Sequence, residues 1–168
     1  LSKTEYPRRK HPRLKQFDYD TNAGYFVTIC TYQKQMLLSR ITVGRGLAPA
    51  VCSLTAVGQI VEAELLSLPT RFPDLVIDHY VIMPNHIHAI FAINAAPAGA
   101  SPRPTLLDMV CAFKSLCTRR CKQSTNLTHL WQTSFFEHII RNERDYQNIW
   151  QYIENNPSRW AEDQYYSD

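Results

Sequence analysis

Residues 75–93, LVIDHYVIMPNHIHAIFAI, restrict the fold more than any other stretch, because two apolar, β-branched runs meet at Pro84-Asn85. Proline fixes its own φ and offers no N–H, so the chain turns there and the flanking runs read as two strands of a tight hairpin. Strands this apolar must be covered by other elements. Residues 25–32, YFVTICTY, and 135–140, FFEHII, supply two more strands by the same alternation. Leu54, Val57, Ile60, Val61, Leu65 and Leu68 fall at helical spacing over 53–68, with Ser53 placed to cap the start and Pro69 to stop the helix. Thr105 caps a second helix, roughly 106–122, with Leu106, Val110, Phe113 and Cys117 on one face. Arg141 and Asn142 lead into a last helix, about 143–155, ended by Pro157. TVGRGLAPAVCS (42–53), NAAPAGASPRP (94–104) and the polar stretch 123–133 read as loops.

The order is β-α-β-β-α-β-α. Its first six elements match an α+β, ferredoxin-like (split βαβ) antiparallel sheet with two helices on one face. The other face is left for the C-terminal helix or a ligand. The chain has 168 residues, enough for one domain with its own core. We assign 1–20 to a basic N-terminal arm and 21–168 to that domain. A hydrophobic fraction of 45% and a charged fraction of 20% are those of a globular protein, and no apolar run reaches the ~18 residues of a membrane span. A cytoplasmic location is expected, with no membrane partner. Five cysteines form no paired CxxC framework. Cys117 and Cys121 stand at i, i+4 without a second ligand pair, so they read as buried hydrophobes rather than a zinc site. The net charge of +3 is mild. Its distribution says more: Arg8, Arg9 and Lys10 lie in YPRRKHPRLK (6–15), a proline-bearing run with no acid, and Arg119, Arg120 and Lys122 cluster at the end of a helix. Both suit phosphate contacts, and both also suit a plain solvated surface.

Side chains alternate along a strand, so His86 and His88 share a face while Ile87 takes the other. Two imidazoles so placed can ligate one ion. Tyr152 and Asn156 lie one turn apart on the last helix. A helix laid across the free face of the sheet would bring Tyr152 to the histidines and let the Asn156 carbonyl oxygen complete a metal shell. Spacing does not separate Tyr152 from Tyr146, which pairs with Trp150 at i, i+4 as an aromatic packing face.

MPNHIHAIF (83–91) resembles the His-hydrophobe-His signature of single-strand nucleases and transposases. WQTSFFEHIIRNERDYQNIWQYIENNP (131–157) resembles the tail signature of REP-associated tyrosine transposases, relatives of the single-tyrosine insertion-sequence transposases. The resemblance covers about residues 20 to 160. It implies a nucleophilic tyrosine four residues before the terminal Asn-Pro, hence Tyr152, and metal ligands His86, His88 and Asn156. It further implies a divalent ion, Mg²⁺ or Mn²⁺, and attack by the phenol to give a 5′-phosphotyrosine and a free 3′-hydroxyl. The implied substrate is single-stranded or hairpin DNA, with repetitive extragenic palindromes as the family's partner, handled by a monomer or a dimer. His138 and Arg141, flanking the final strand, are candidate DNA contacts beside the basic clusters. His79, next to Asp78, reads as structural. Two readings compete: a non-catalytic single-stranded nucleic-acid-binding module of the same strand order, and a metal hydrolase that uses water and dispenses with Tyr152.

Overall fold

The computed structural model describes residues 23–42, 50–94, 104–125 and 127–166. The basic arm assigned to 1–20, and with it Arg8, Arg9 and Lys10, lies outside these residues, as does most of the loop expected at 94–104. Six strands and three helices follow in the order β1 (Ala23–Cys30), β2 (Ser39–Thr42), β3 (Val51–Leu54), α1 (Ala56–Arg71), β4 (Leu75–Ile82), β5 (His86–Ile93), α2 (Leu106–Thr125), β6 (Phe136–Ile140) and α3 (Glu143–Asn155). The four long-range strands form one antiparallel sheet in the order β4-β5-β1-β6. This is the ferredoxin-like arrangement expected from the element order, an α+β fold with α3 as the added seventh element.

Alternation on β5 divides the molecule. Ile87, Ala89 and Phe91 point to the face where Val61, Leu65 and Leu68 of α1 and Val110 and Phe113 of α2 close the main core. His86, His88 and Ile90 point to the other face. There Tyr146, Trp150 and Ile153 of α3 pack with Ile90 and Ile140 in a second, smaller core. Full burial of a side chain such as Phe91 or Leu65 stabilises by about 1.5–3 kcal/mol, so the first core carries most of the fold while the second fixes α3 over the histidines. A β-bulge between Ile77 and His79 turns both Asp78 and His79 toward α3. The Tyr146 hydroxyl donates to Asp78 Oδ2 at 2.7 Å, and His79 stacks on Trp150 at 4.4 Å between ring centroids. Tyr146, 1% exposed, is thereby a packing residue, and His79 is structural as expected.

Several boundaries differ from the sequence reading. Residues 39–42 and 51–54 pair as a small separate hairpin, β2–β3, where a loop was expected over 42–53. Helix α1 is capped by Thr55, whose hydroxyl accepts from Gly58 N at 3.0 Å, rather than by Ser53, which lies in β3. Pro69 does not stop α1. The helix runs on to Arg71, and Phe72 N still donates to Leu68 O, because a proline in the last turn removes one hydrogen bond without blocking the following ones. Helix α2 extends to Thr125, beyond the expected end near 122, and opens on a box in which Thr105 and Asp108 bond each other's backbone N–H. Cys117 and Cys121 are buried in the core, and burial pushes both thiols up. No helix among the described residues is long and apolar enough to cross a membrane.

Candidate active site

Strand β5 brings His86 and His88 to the α3 face, where the two rings are 0% and 1% exposed and their Nε2 atoms lie 3.0 Å apart. Their tautomers follow from their partners. Asn85 donates both amide hydrogens, to Tyr165 O at 2.8 Å and Lys34 O at 3.3 Å. Its Oδ1 is therefore turned to His86 Nδ1 at 2.9 Å, so that nitrogen carries the proton and His86 Nε2 is bare. On β1, Thr28 sits directly opposite His88 and meets its Nδ1 at 2.8 Å. Burial pushes the Tyr165 phenol up, and a hydrogen bond with the Thr28 hydroxyl opposes the rise. Where Thr28 accepts from His88 Nδ1, the tautomer that ligation of an ion requires, His88 Nε2 is bare as well. Burial, reinforced by Lys34, depresses His86 to about 3, and burial followed by the neighbouring His86 holds His88 well below its ordinary value. Both shifts favour the neutral imidazoles, and in that tautomer the two Nε2 lone pairs face each other across 3.0 Å.

Helix α3 delivers Tyr152. Its hydroxyl lies 3.3 Å from His88 Nε2, and its ring meets Phe26 edge-on at 6.0 Å. Burial pushes the Tyr152 phenol up to about 12, with the nearby Asp163 and Tyr165 adding to the rise and Asn156 opposing it. Asn156, 4% exposed, closes the same helix. Its amide nitrogen donates to Asp163 Oδ2 at 2.6 Å, and its Oδ1 is buried with no hydrogen-bond partner among the described residues.

Asp163 is the residue that sequence reasoning missed. It follows the 3₁₀ turn Pro157–Glu162 and folds back so that its side chain is 1% exposed, with Oδ2 4.0 Å from His86 Nε2. Tyr165 N donates to its Oδ1 at 2.7 Å, and the Tyr165 ring lies 4.6 Å from that of His86. Ligand atoms of His86, His88 and Asp163 all fall within 4.8 Å of one another. The clue in the sequence was an acid among aromatics (WAEDQYY) just past the Asn-Pro stop, a stretch without periodicity.

The donor set fits a divalent cation. Two bare imidazole nitrogens converge on a buried carboxylate, and an orphaned amide oxygen stands beside them. The orphaned amide oxygen, and the facing nitrogens in this tautomer, would otherwise carry an unrelieved desolvation cost. Two nitrogens with oxygen ligands suit Mn²⁺ better than Mg²⁺, which holds more strictly to oxygen, and are compatible with both.

The expected DNA contacts disperse. Arg120 is tied to the buried Glu64 at 2.6 Å. Arg119 and Lys122 line a groove on α2 with Lys114 and His129. His138 bonds Asp145 across β6 and α3 at 2.9 Å, and Arg141 is exposed at the start of α3. None of these reaches the histidine cluster.

The ferredoxin-like sheet with its added C-terminal helix has the fold of a solved tyrosine transposase, and the tyrosine transposases are a class of DNA-cleaving enzymes. The family described as "Transposase IS200 like" matches residues 70–156, from the end of α1 to the close of α3. The chain belongs to this IS200-like transposase family. It is 33% identical to a Haemophilus influenzae protein whose name assigns no function, over 95% of this chain and 94% of that one. It is also 32% identical to the REP-associated tyrosine transposase of Escherichia coli K12, over 48% of this chain and 43% of that protein. Among solved structures, it resembles a REP-associated tyrosine transposase bound to a REP hairpin, with a TM-score of 0.60 and 23% identity over 94% of this chain and 74% of the other.

Proposed function

We propose that this transposase cuts and rejoins single-stranded, hairpin-bearing DNA, with Tyr152 as the nucleophile and a divalent ion held by His86, His88 and the oxygens of Asn156 and Asp163. The observation that carries this reading is the 3.3 Å approach of the Tyr152 hydroxyl to the bare Nε2 of His88. Tyr146, the other tyrosine on α3, is 1% exposed and bonded to Asp78.

Bound there, the ion would act as a Lewis acid on the phosphate and orient it for in-line attack. The chain's own residues do the rest. Asn85 and Thr28 fix the ring orientations through the two Nδ1 atoms, which keeps both Nε2 atoms turned inward. Asn156 holds Asp163 in place. The Tyr152 ring lies edge-on to Phe26 and to His88, with its oxygen turned toward His88 Nε2. Attack forms the Tyr152 Oη–P bond and breaks the P–O3′ bond, and the phenolic proton ends on the freed 3′-hydroxyl. The phosphoester is conserved in the 5′-phosphotyrosine, and because a phenol leaves more readily than an alcohol, another 3′-hydroxyl can reverse the step. That reversibility is what strand transfer requires.

The substrate class is supported by the E. coli relative's name and by the related structure's REP hairpin. The groove bearing Arg119 and Lys122 would meet duplex phosphates of such a hairpin. Incubation with Mn²⁺ and hairpin-bearing single-stranded DNA should yield a covalent protein–DNA adduct on a denaturing gel. Tyr152→Phe should abolish the adduct, and Tyr146→Phe should retain it. Cleavage by Tyr152→Phe without an adduct would mean that water is the nucleophile. DNA binding by the unmodified protein without cleavage would leave only a binding module.

A further inference from the structure

Tyr152 stands between two unlike clefts. On one side Asn148, Gln151, Asn155, Arg159 and Glu162 make a polar opening. On the other, a cleft of ≈ 490 Å³ is walled by Phe26, Phe136, Ile149 and the rings of Tyr152 and Tyr165, with Thr28 and His88 at its base and Asn148 at its rim. Its walls come from β1, β6, α3 and the C-terminal segment. Phe136 and Thr28 are register partners on β6 and β1, Ile149 and Tyr152 lie on α3, and Tyr165 comes from the segment after the 3₁₀ turn. Phe136 is 54% exposed on a strand at the edge of the sheet. Its ring walls the cleft opposite α3 with one face left to solvent.

We propose that this second cleft is a stacking site for a nucleobase next to the cleaved phosphodiester, with Phe136 as its outer wall. The inference rests on the proposed nucleophile, since the cleft opens directly onto the Tyr152 ring. Four features select a base over another apolar guest. The enzyme's class handles DNA, and the lining is aromatic rather than aliphatic, which suits a flat π-face. The volume lies in the range of small-molecule sites and is far too small for a protein segment. Finally, Asn148 at the rim offers both a donor and an acceptor to a base edge. The aromatic cleft takes the base, and the polar cleft, where Arg159 is paired with Glu162, is left for the sugar–phosphate chain. A base held here would fix the scissile phosphate in register with the phenol, so the site would contribute to the choice of cleavage position.

The test uses binding, so that it does not depend on cleavage. Tyr152→Phe protein is titrated with single-stranded oligothymidylate of about 12 nucleotides carrying one 2-aminopurine, moved in turn along the strand. Stacking should quench fluorescence at a restricted set of positions. Adding Phe136→Ala should remove that quench and weaken binding about tenfold, the scale of one lost base–aromatic stack. Phe136→Trp should restore both. Because Phe136 is exposed, the alanine variant should keep its melting temperature, and an unchanged melt separates loss of stacking from misfolding. Equal quenching with and without Phe136, or binding with no quench at any position, would overturn the proposal. A quench that depends on Phe136 in a protein that forms no Tyr152 adduct would sink the proposed chemistry and leave the base site standing. An adduct formed without the quench would do the reverse.

Discussion

At the scale of single residues, the two tyrosines of α3 illustrate how little separates a packing group from a reactive one in sequence. They lie six positions apart on an amphipathic helix, and their helical partners, Trp150 and Asn156, were the only sequence difference in reach. The structure separates them by depth: Tyr146 closes the second core on Asp78, while Tyr152 is 40% exposed at the rim of the histidine cluster. Removing the Tyr146 hydroxyl leaves Asp78, whose carboxyl burial already raises, without its stabilising bond. Tyr146→Phe should therefore cost about 1–3 kcal/mol in urea unfolding while the adduct assay still succeeds; a stability unchanged within error would show that this bond contributes nothing. The histidines give a pH signature of the ion-free protein. His86 falls from 6.5 to about 3 on folding, and His88 is also depressed. Between those values the unfolded chain binds the extra protons, so this contribution is complete above pH 6.5 and is lost progressively as pH falls toward 3. The slope is at most about 1.4 kcal/mol per pH unit for each histidine. Urea midpoints taken in chelator from pH 7.5 to 5 should fall for the native protein and fall less for His86→Gln. Parallel curves would rule out His86 as the source.

At the scale of elements, legibility followed burial and periodicity. The β4–β5 hairpin, α1, α2 and α3 were visible because each carries a long apolar pattern of one period, and the strand order followed from their sequence. The β2–β3 hairpin was not, because strands of four residues at half-exposed positions, separated by a Gly- and Pro-bearing stretch, lack a face to signal. The start of α1 was misplaced by the competition of Ser53 and Thr55 for the cap. What decides it is tertiary: the Thr55 hydroxyl also reaches the carbonyls of Leu37 and Leu38. The same close approach makes Gly58 obligatory. A Cβ there would stand 1.9 Å from Leu38 O, a backbone atom that cannot step aside. Helix propensity alone favours Gly58→Ala by about 1 kcal/mol. The clash reverses that sign, and we expect the variant to lose on the order of 2 kcal/mol or more, read as a lowered thermal midpoint. A midpoint raised by the substitution would show that the helix can move away from Leu38 at little cost. The histidine pair was legible from alternation on β5, whereas Asp163 was not, because it reaches the site through an irregular turn that leaves no mark in periodicity.

At the scale of the whole molecule, the site ties together parts of the chain that the cores hold separately. His86 and His88 belong to the central strand, Asn156 to the end of α3, and Asp163 to the segment beyond the 3₁₀ turn. A cation drawn to all four would bind the folded chain and not the unfolded one, so it must stabilise the fold by mass action. At a hundred times its dissociation constant the gain is about 2.7 kcal/mol, which for a chain of this size raises the melting temperature by roughly 5–10 °C. Mn²⁺ should produce that rise in the native protein and in Tyr152→Phe, whose phenol is not among the proposed ligands. It should produce none in His88→Ala. Asp163→Asn keeps an acceptor for Tyr165 N while removing the charge, so it should shift the Mn²⁺ titration to about tenfold higher concentration without abolishing the effect. This last variant divides two accounts of the buried carboxylate. If Asp163→Asn titrates like the native protein, Asp163 serves only to pin the C-terminal segment over the histidines, and Asn156 alone supplies the oxygen. A rise of equal size in His88→Ala would place the ion somewhere else on the protein, and Tyr152 would then face two neutral rings with no Lewis acid between them.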